Sequence, residues 1–209
     1  MLLNIRPLWQ APRFKRRAAA TAALVFSGML ALPSYSQTAI DPAAARAEVF
    51  SSSLLTASKR GEARSPRLHV LIEQSFNIPV MAQIAVGPSW SSMSASEHTA
   101  IVQALVRYTA ARFEHDLGHF NGQKIVLDPA VQVRGPDHLI KGQLFEPGDA
   151  PVRLAYRIRE YDGAWKIIDV FYDGVSQLAT QRADFASSIS SGATAFVKKL
   201  DEASAKLRV

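Results

Sequence analysis

From Lys124 to Tyr172 the hydrophobic period is two, and the runs that carry it are joined by turns too short for parallel neighbours. Val131 and Val133 alternate with Gln132 and Arg134, and Gly135-Pro136-Asp137 turns the chain into a second run over 139–145. Pro147-Gly148-Asp149 turns it again. The third run is the clearest, with Val152, Leu154, Tyr156 and Ile158 on one face and Arg153, Arg157 and Arg159 on the other. Tyr161-Asp162-Gly163 closes the next hairpin, and 164–172 reads as a strand apolar on both faces. A parallel pair needs a crossover of a dozen or more residues, so these strands form an antiparallel meander.

Helical signals flank the meander. Ile40-Asp41-Pro42 supplies an N-cap and a proline at the first helical position, opening a helix to about Lys59 that Gly61 ends. Ser65-Pro66 repeats the start, with Leu68, Leu71, Ile72 and Phe76 at helical spacing. A short helix is expected over 78–86, stopped by Gly87-Pro88. Ser94-Ala95-Ser96-Glu97 fits a capping box, and the stripe after it, with Ile101, Leu105, Tyr108 and Phe113, is wide enough to imply burial on more than one side. After Gly174 a last helix carries Leu178, Phe185, Ile189, Phe196 and Leu200, with a break near Ser190-Ser191-Gly192. Helices, then a meander, then a helix is the α+β order. The expected architecture is a curved antiparallel sheet covered on one face by helices, enclosing an apolar cavity.

Charge narrows the function. The 209 residues carry 24 Lys+Arg against 18 Asp+Glu, a formal +6. Arg6, Arg13, Lys15, Arg16 and Arg17 precede every acidic residue and are followed by an apolar stretch over 18–32. A positive segment, a short apolar segment and small residues at Ser34 and Ser36 are the layout of a secretory signal peptide cut before Gln37. The expected organisation is therefore a signal peptide over 1–36 and one exported domain over 37–209. Without the first segment the balance is 19 against 18, close to neutral. Nucleic acid is disfavoured as a partner, because its phosphates require a basic face. The absence of cysteine excludes disulfides, thiol catalysis and cysteine-bound metals.

Catalytic motifs are scarce. His115 and His119, four apart beside Glu114 and Asp116, have helical metal-ligand spacing, but Gly118 between them reads as a helix end. No metal or other cofactor is expected. Ser176 follows Asp173-Gly174-Val175 and reads more simply as the N-cap of the final helix than as a nucleophile. Asp169 interrupts an apolar strand, on the face that simple alternation shares with Trp165, Ile167 and Phe171. Such a carboxylate acts as a base if its pKa is raised, or as a structural lock if it accepts hydrogen bonds from Arg182 or a backbone turn. The arginines at 153–159 are either a docking face for acidic partners or anionic lipid heads, or a solvated sheet face.

The run Trp165-Lys166-Ile167-Ile168-Asp169-Val170-Phe171-Tyr172-Asp173-Gly174-Val175-Ser176, followed by Arg182 and Phe185, resembles the signature of the MlaC family of periplasmic phospholipid-binding proteins, formerly described by toluene tolerance. Gly87 and Trp90, the capped helix, Tyr108, Phe120-Asn121-Gly122 and Pro151-Val152 through Tyr156 fall in the family's order, over about residues 65–200. Asn77 stands where the family often has Asp, Val86 where Leu is common, and 94–98 is atypical. These departures are similar to the hopanoid-linked branch, HpnM. The resemblance implies a periplasmic lipid-binding shuttle of an ABC-type lipid transport system, carrying a phospholipid or hopanoid and docking to an inner-membrane transporter and an outer-membrane lipoprotein. It implies no enzyme. The lipid-binding residues expected on this reading are Leu154, Tyr156, Ile158, Ile167 and Phe171 from the sheet with Ile84, Leu105 and Tyr108 from the helices. Two other readings stand beside it: a small-molecule enzyme of a cone-shaped α+β fold with Asp169 as base, and a periplasmic adaptor with a filled core.

Overall fold

The computed structural model describes residues 40–58, 64–118 and 122–208. The segment 1–36, the expected stop at Gly61, His119 and Phe120-Asn121 lie outside them. The described elements are helices α1 (Pro42–Ser58), α2 (Arg64–Ser75), α3 (Ile78–Val86) and α4 (Ala95–Gly118), strands β1 (Lys124–Arg134), β2 (Asp137–Phe145), β3 (Val152–Tyr161), β4 (Ala164–Tyr172) and β5 (Val175–Ser176), and helices α5 (Gln177–Asp184), α6 (Ala186–Ser190) and α7 (Ala193–Leu207). A 3-10 segment, Gly87–Ser92, joins α3 to α4.

The five strands pair antiparallel in chain order, in an open, curved sheet. Turn chemistry sets the register. Gly135 at φ 58° leads the two-residue turn between Arg134 and Asp137, as a type II′ turn requires. Asp162-Gly163 and Asp173-Gly174 both have positive φ at the two turn positions, the type I′ geometry whose twist suits a hairpin. Two irregularities bend the sheet: a shift between Leu127 and Val131 in β1, and another between Arg157 and Ile158 against β4. Gly142 sits where β1 bulges over β2. A Cβ there would lie 2.4 Å from the Val126 carbonyl oxygen, so only glycine lets the two backbones approach.

α1 crosses the inner face of the sheet, touching β1 to β4, and α4 packs behind it against α2, α3 and α7. The wide apolar stripe of α4 is explained by those three neighbours. Helix starts follow the sequence. Asp41 Oδ1 accepts from the Ala43 and Ala44 amides at 2.8 and 3.4 Å, and Ser94 and Glu97 exchange the bonds of a capping box. The final helix is divided twice, at Phe185 and at Ser191-Gly192. Four large rings cluster where α1 meets the sheet and α4: Phe50 meets Phe76, Phe113 and Tyr156 edge-on at 5.1, 5.7 and 5.7 Å.

The second irregularity overturns one expectation. Beyond it Asp169 pairs with Arg157 and Phe171 with Ala155, on the outer face, whereas Ile167 pairs with Ile158 and Trp165 with Glu160 on the inner face. The inserted residue, Ile168, reverses the alternation. Asp169 and Phe171 therefore do not share a face with Trp165 and Ile167.

An apolar cavity between the sheet and the helices

Behind the aromatic cluster the sheet and helices enclose a cavity of about 50 Å³. Leu144, Leu154, Tyr156 and Tyr172 face it from β2, β3 and β4, and Ile125 from β1. Leu54 and Leu55 from the last turns of α1 and Phe113 from α4 complete the apolar wall; Asp116 and Gln123 are the polar members. Tyr156 is fully buried, and its hydroxyl lies 3.1 Å from Ser51 Oγ, which meets the polar requirement of both groups. Burial pushes the phenols of Tyr156 and Tyr172 upward, so both stay neutral. Asp116 stands 3.6 Å from Arg112, one helical turn earlier.

Three contacts tie α1 to the sheet before the helix reaches the cavity. Asp41 Oδ2 meets His138 Nδ1 at 3.0 Å, Arg46 Nε donates to the Trp165 carbonyl at 3.0 Å, and Ser51 meets Tyr156. Leu54 and Leu55 follow the last of these.

Of the eight residues expected to bind lipid, Leu154 and Tyr156 line this cavity. Ile158 and Ile167 face each other across β3 and β4 and are fully buried in the core. Leu105 is buried in α4, and Tyr108 packs its ring on Phe185 at 5.4 Å, towards α7. Ile84 is half-buried on α3. Phe171 lies on the outer face of the sheet and lines a different groove. Leu54, Leu55, Phe113, Leu144 and Tyr172 line the cavity without having been singled out. The inward alternation of Leu154 and Tyr156 extends by register to Leu144, which was the available signal, whereas Tyr172 faces inward only because Ile168 is inserted.

Asp169 is held in place by three donors. Its Oδ1 accepts from the Val170 and Leu178 amides at 2.8 and 3.1 Å, and its Oδ2 accepts from Ser176 Oγ at 2.6 Å. Ser176 Oγ in turn accepts from the Ala179 amide at 3.0 Å, capping α5. Burial raises the Asp169 pKa against the pull of these bonds. The carboxylate fastens the start of α5 to β4, and it lines neither this cavity nor the groove beside Phe171. Of the two roles open to it, the lock matches this geometry, with Ser176 and two amides as donors in place of Arg182.

Arg182 has another partner. Its Nη1 donates to the Ile84 carbonyl at 3.2 Å, at the C-terminus of α3, and a Cβ on Gly87 would come within 2.8 Å of its guanidinium. Asn77 caps α3 by accepting from the Val80 amide at 3.2 Å, while its own amide donates to Ile167 at 2.9 Å. Asn and Asp cap about equally well, so the departure from Asp at this position keeps the cap. His98 stacks on Trp90 at 3.9 Å and donates through Nε2 to the Trp90 carbonyl at 2.8 Å. His115 Nδ1 lies 3.2 Å from the Leu207 carbonyl, and no cluster of metal-ligating residues occurs among the described residues.

These contacts join α3, α5 and β4 through the residues that carried the resemblance, and comparison with known proteins agrees. No curated protein matches the chain. Among solved structures it is similar to a phospholipid-binding protein from Ralstonia solanacearum, determined in complex with a phospholipid. The TM-score is 0.69 at 22% identity, over 81% of this chain and 100% of that one. That likeness establishes the fold. The profile of the MlaC protein family matches residues 47–202, most of the chain, and the chain belongs to that family.

Proposed function

We propose that this protein is a soluble carrier that binds the acyl chains of a phospholipid between its sheet and α1. The observation that carries the reading is the apolar cavity at that place, in a chain of the MlaC family whose structural neighbour holds a phospholipid. The physical need is large. Each CH₂ taken out of water is worth about 0.8 kcal/mol, so a 16-carbon chain crossing water alone meets a barrier of ~12 kcal/mol. A protein wall around the tail removes it.

The cavity, at about 50 Å³, falls below the ~300–1,000 Å³ of sites that bury small ligands. Loading therefore requires the walls to part. The bonds at Asp41, Arg46 and Ser51 hold the first half of α1 to the sheet, and Leu54 and Leu55, in the turns that follow, form the helical wall of the cavity. Parting the sheet from the Leu54 and Leu55 wall opens the cavity and leaves the Phe50 ring contacts in place. With its N-terminal segment read as a signal peptide, the protein works in the periplasm, as the shuttle of an ABC-type transport system between inner and outer membranes. The adaptor reading has a filled core, and the cavity favours the carrier over it.

The test is uptake of a fluorescent phospholipid from vesicles. Leu154→Gln places an amide in the apolar wall and is expected to reduce uptake at least tenfold while circular dichroism stays unchanged. Uptake by a folded Leu154→Gln protein at the parent rate would contradict this assignment of the wall.

A further inference from the structure

A groove larger than the apolar cavity lies on the other side of the sheet. It has a volume of about 560 Å³ and spans β1 to β4. Leu139, Ala155 and Phe171 make an apolar floor, and Arg134, Lys141, Arg153 and Arg157 stand around it against Asp128 and Asp137. Asp137 is already engaged: Arg159 Nε bonds its Oδ1, and Arg157 Nε lies 3.9 Å from its Oδ2. Arg157 Nε makes no hydrogen bond although it is withdrawn from solvent. Arg153 pairs with Asp173 at 3.3 Å and remains largely exposed. A chain that is nearly neutral beyond residue 36 thus gathers four cations around one apolar trough.

We propose that this groove is the docking site for an acidic, extended segment of a partner protein. Three strand spacings separate β1 from β4, about 14 Å in all, which four or five residues of extended chain span at ~3.3 Å each. Acidic side chains alternating with apolar ones would meet the cations at the rim and the floor formed by Leu139 and Phe171. An anionic bilayer is flat and cannot follow a trough, and the Asp128 carboxylate at its edge would oppose it. The proposal is independent of what the cavity on the inner face binds.

The probe is a fluorescein-labelled heptapeptide, Glu-Leu-Glu-Phe-Glu-Leu-Glu, with the Lys-for-Glu peptide as control, read by anisotropy in 50 mM salt. The acidic peptide should bind the full-length protein and the control should not. Arg134→Glu with Lys141→Glu, both exposed, should weaken binding at least tenfold without changing lipid uptake or melting temperature. Lys141→Gln alone, a milder change, should weaken it severalfold. Equal binding of both peptides, or none of either, overturns the proposal. So does binding to 30% phosphatidylglycerol vesicles that the double variant abolishes while the peptide is ignored, since the face would then be a membrane surface.

Discussion

Asp169 shows how one residue can look catalytic and be structural. Its three donors account for three of about four acceptor sites on a carboxylate. Asp169→Asn exchanges one acceptor oxygen for a donor, against Ser176 Oγ or the two amides. A loss of ~1–3 kcal/mol is expected, with a melting temperature lower by roughly 2–4 °C per kcal/mol. A thermal melt equal to the parent's would show that the lock carries no load. Gly142→Ala should cost a further ~1–3 kcal/mol, because the new methyl meets a backbone oxygen that cannot rotate away. Glu97 supplies a pH test. Bonds from the Ser94 amide and hydroxyl hold its pKa below the ordinary 4.5. Its stabilising effect is therefore complete above pH 4.5 and is lost as pH falls through the lowered value. Glu97→Gln should flatten the melting-temperature profile in that acidic window, and an unchanged slope would place the dependence elsewhere. The capping roles of Asp41, Ser94 and Ser176 were legible in the sequence, because they depend on neighbours within a few residues. The partners of Asp169 and Arg182 were not, since two of the three donors to Asp169 and all of Arg182's contacts arrive from other elements.

Among the elements, α1 is tied to the sheet through Phe50. Three edge-on ring contacts converge there, so Phe50→Ala should remove ~3–5 kcal/mol, measured by denaturant unfolding, and a loss under 1 kcal/mol would mean that the cluster relaxes to fill the space. Arg107 and Asp201 also join two elements, α4 and α7, through three hydrogen bonds, but both are exposed and such pairs contribute ~0–1 kcal/mol. The meander through β4 was readable from its turns: Gly135 and Asp162-Gly163 need positive φ, and the residue types supply it, whereas the Asp173-Gly174 turn into the two-residue β5 was not anticipated. The irregularity near Ile168 was not readable. Nothing local distinguishes Ile168 from its apolar neighbours, and one inserted residue moved Asp169 and Phe171 to the outer face. Of the residues expected to bind lipid, Phe171 is the one this insertion turned outward. Which apolar side chains face a void rather than one another depends on how α1 and α4 settle on the sheet, and alternation could identify the inner face without locating the gap in it.

At the scale of the molecule, the two faces of the sheet differ in character. The inner face holds the aromatic cluster and the cavity, and the outer face holds the charged groove. Since the chain has no cysteine, the opening of α1 can be tested with a single engineered pair. Leu55→Cys with Ile125→Cys, once oxidised, should block phospholipid uptake, and reduction should restore it; uptake by the oxidised protein would place the opening elsewhere. The carrier itself is tested most directly by native mass spectrometry of the protein purified from the periplasm, followed by solvent extraction of what it holds. One two-chain phospholipid per protein chain is the expected result, and a hopanoid in its place would keep the carrier and change the cargo. Protein mass alone, from a chain that also takes up no lipid from vesicles, would contradict it.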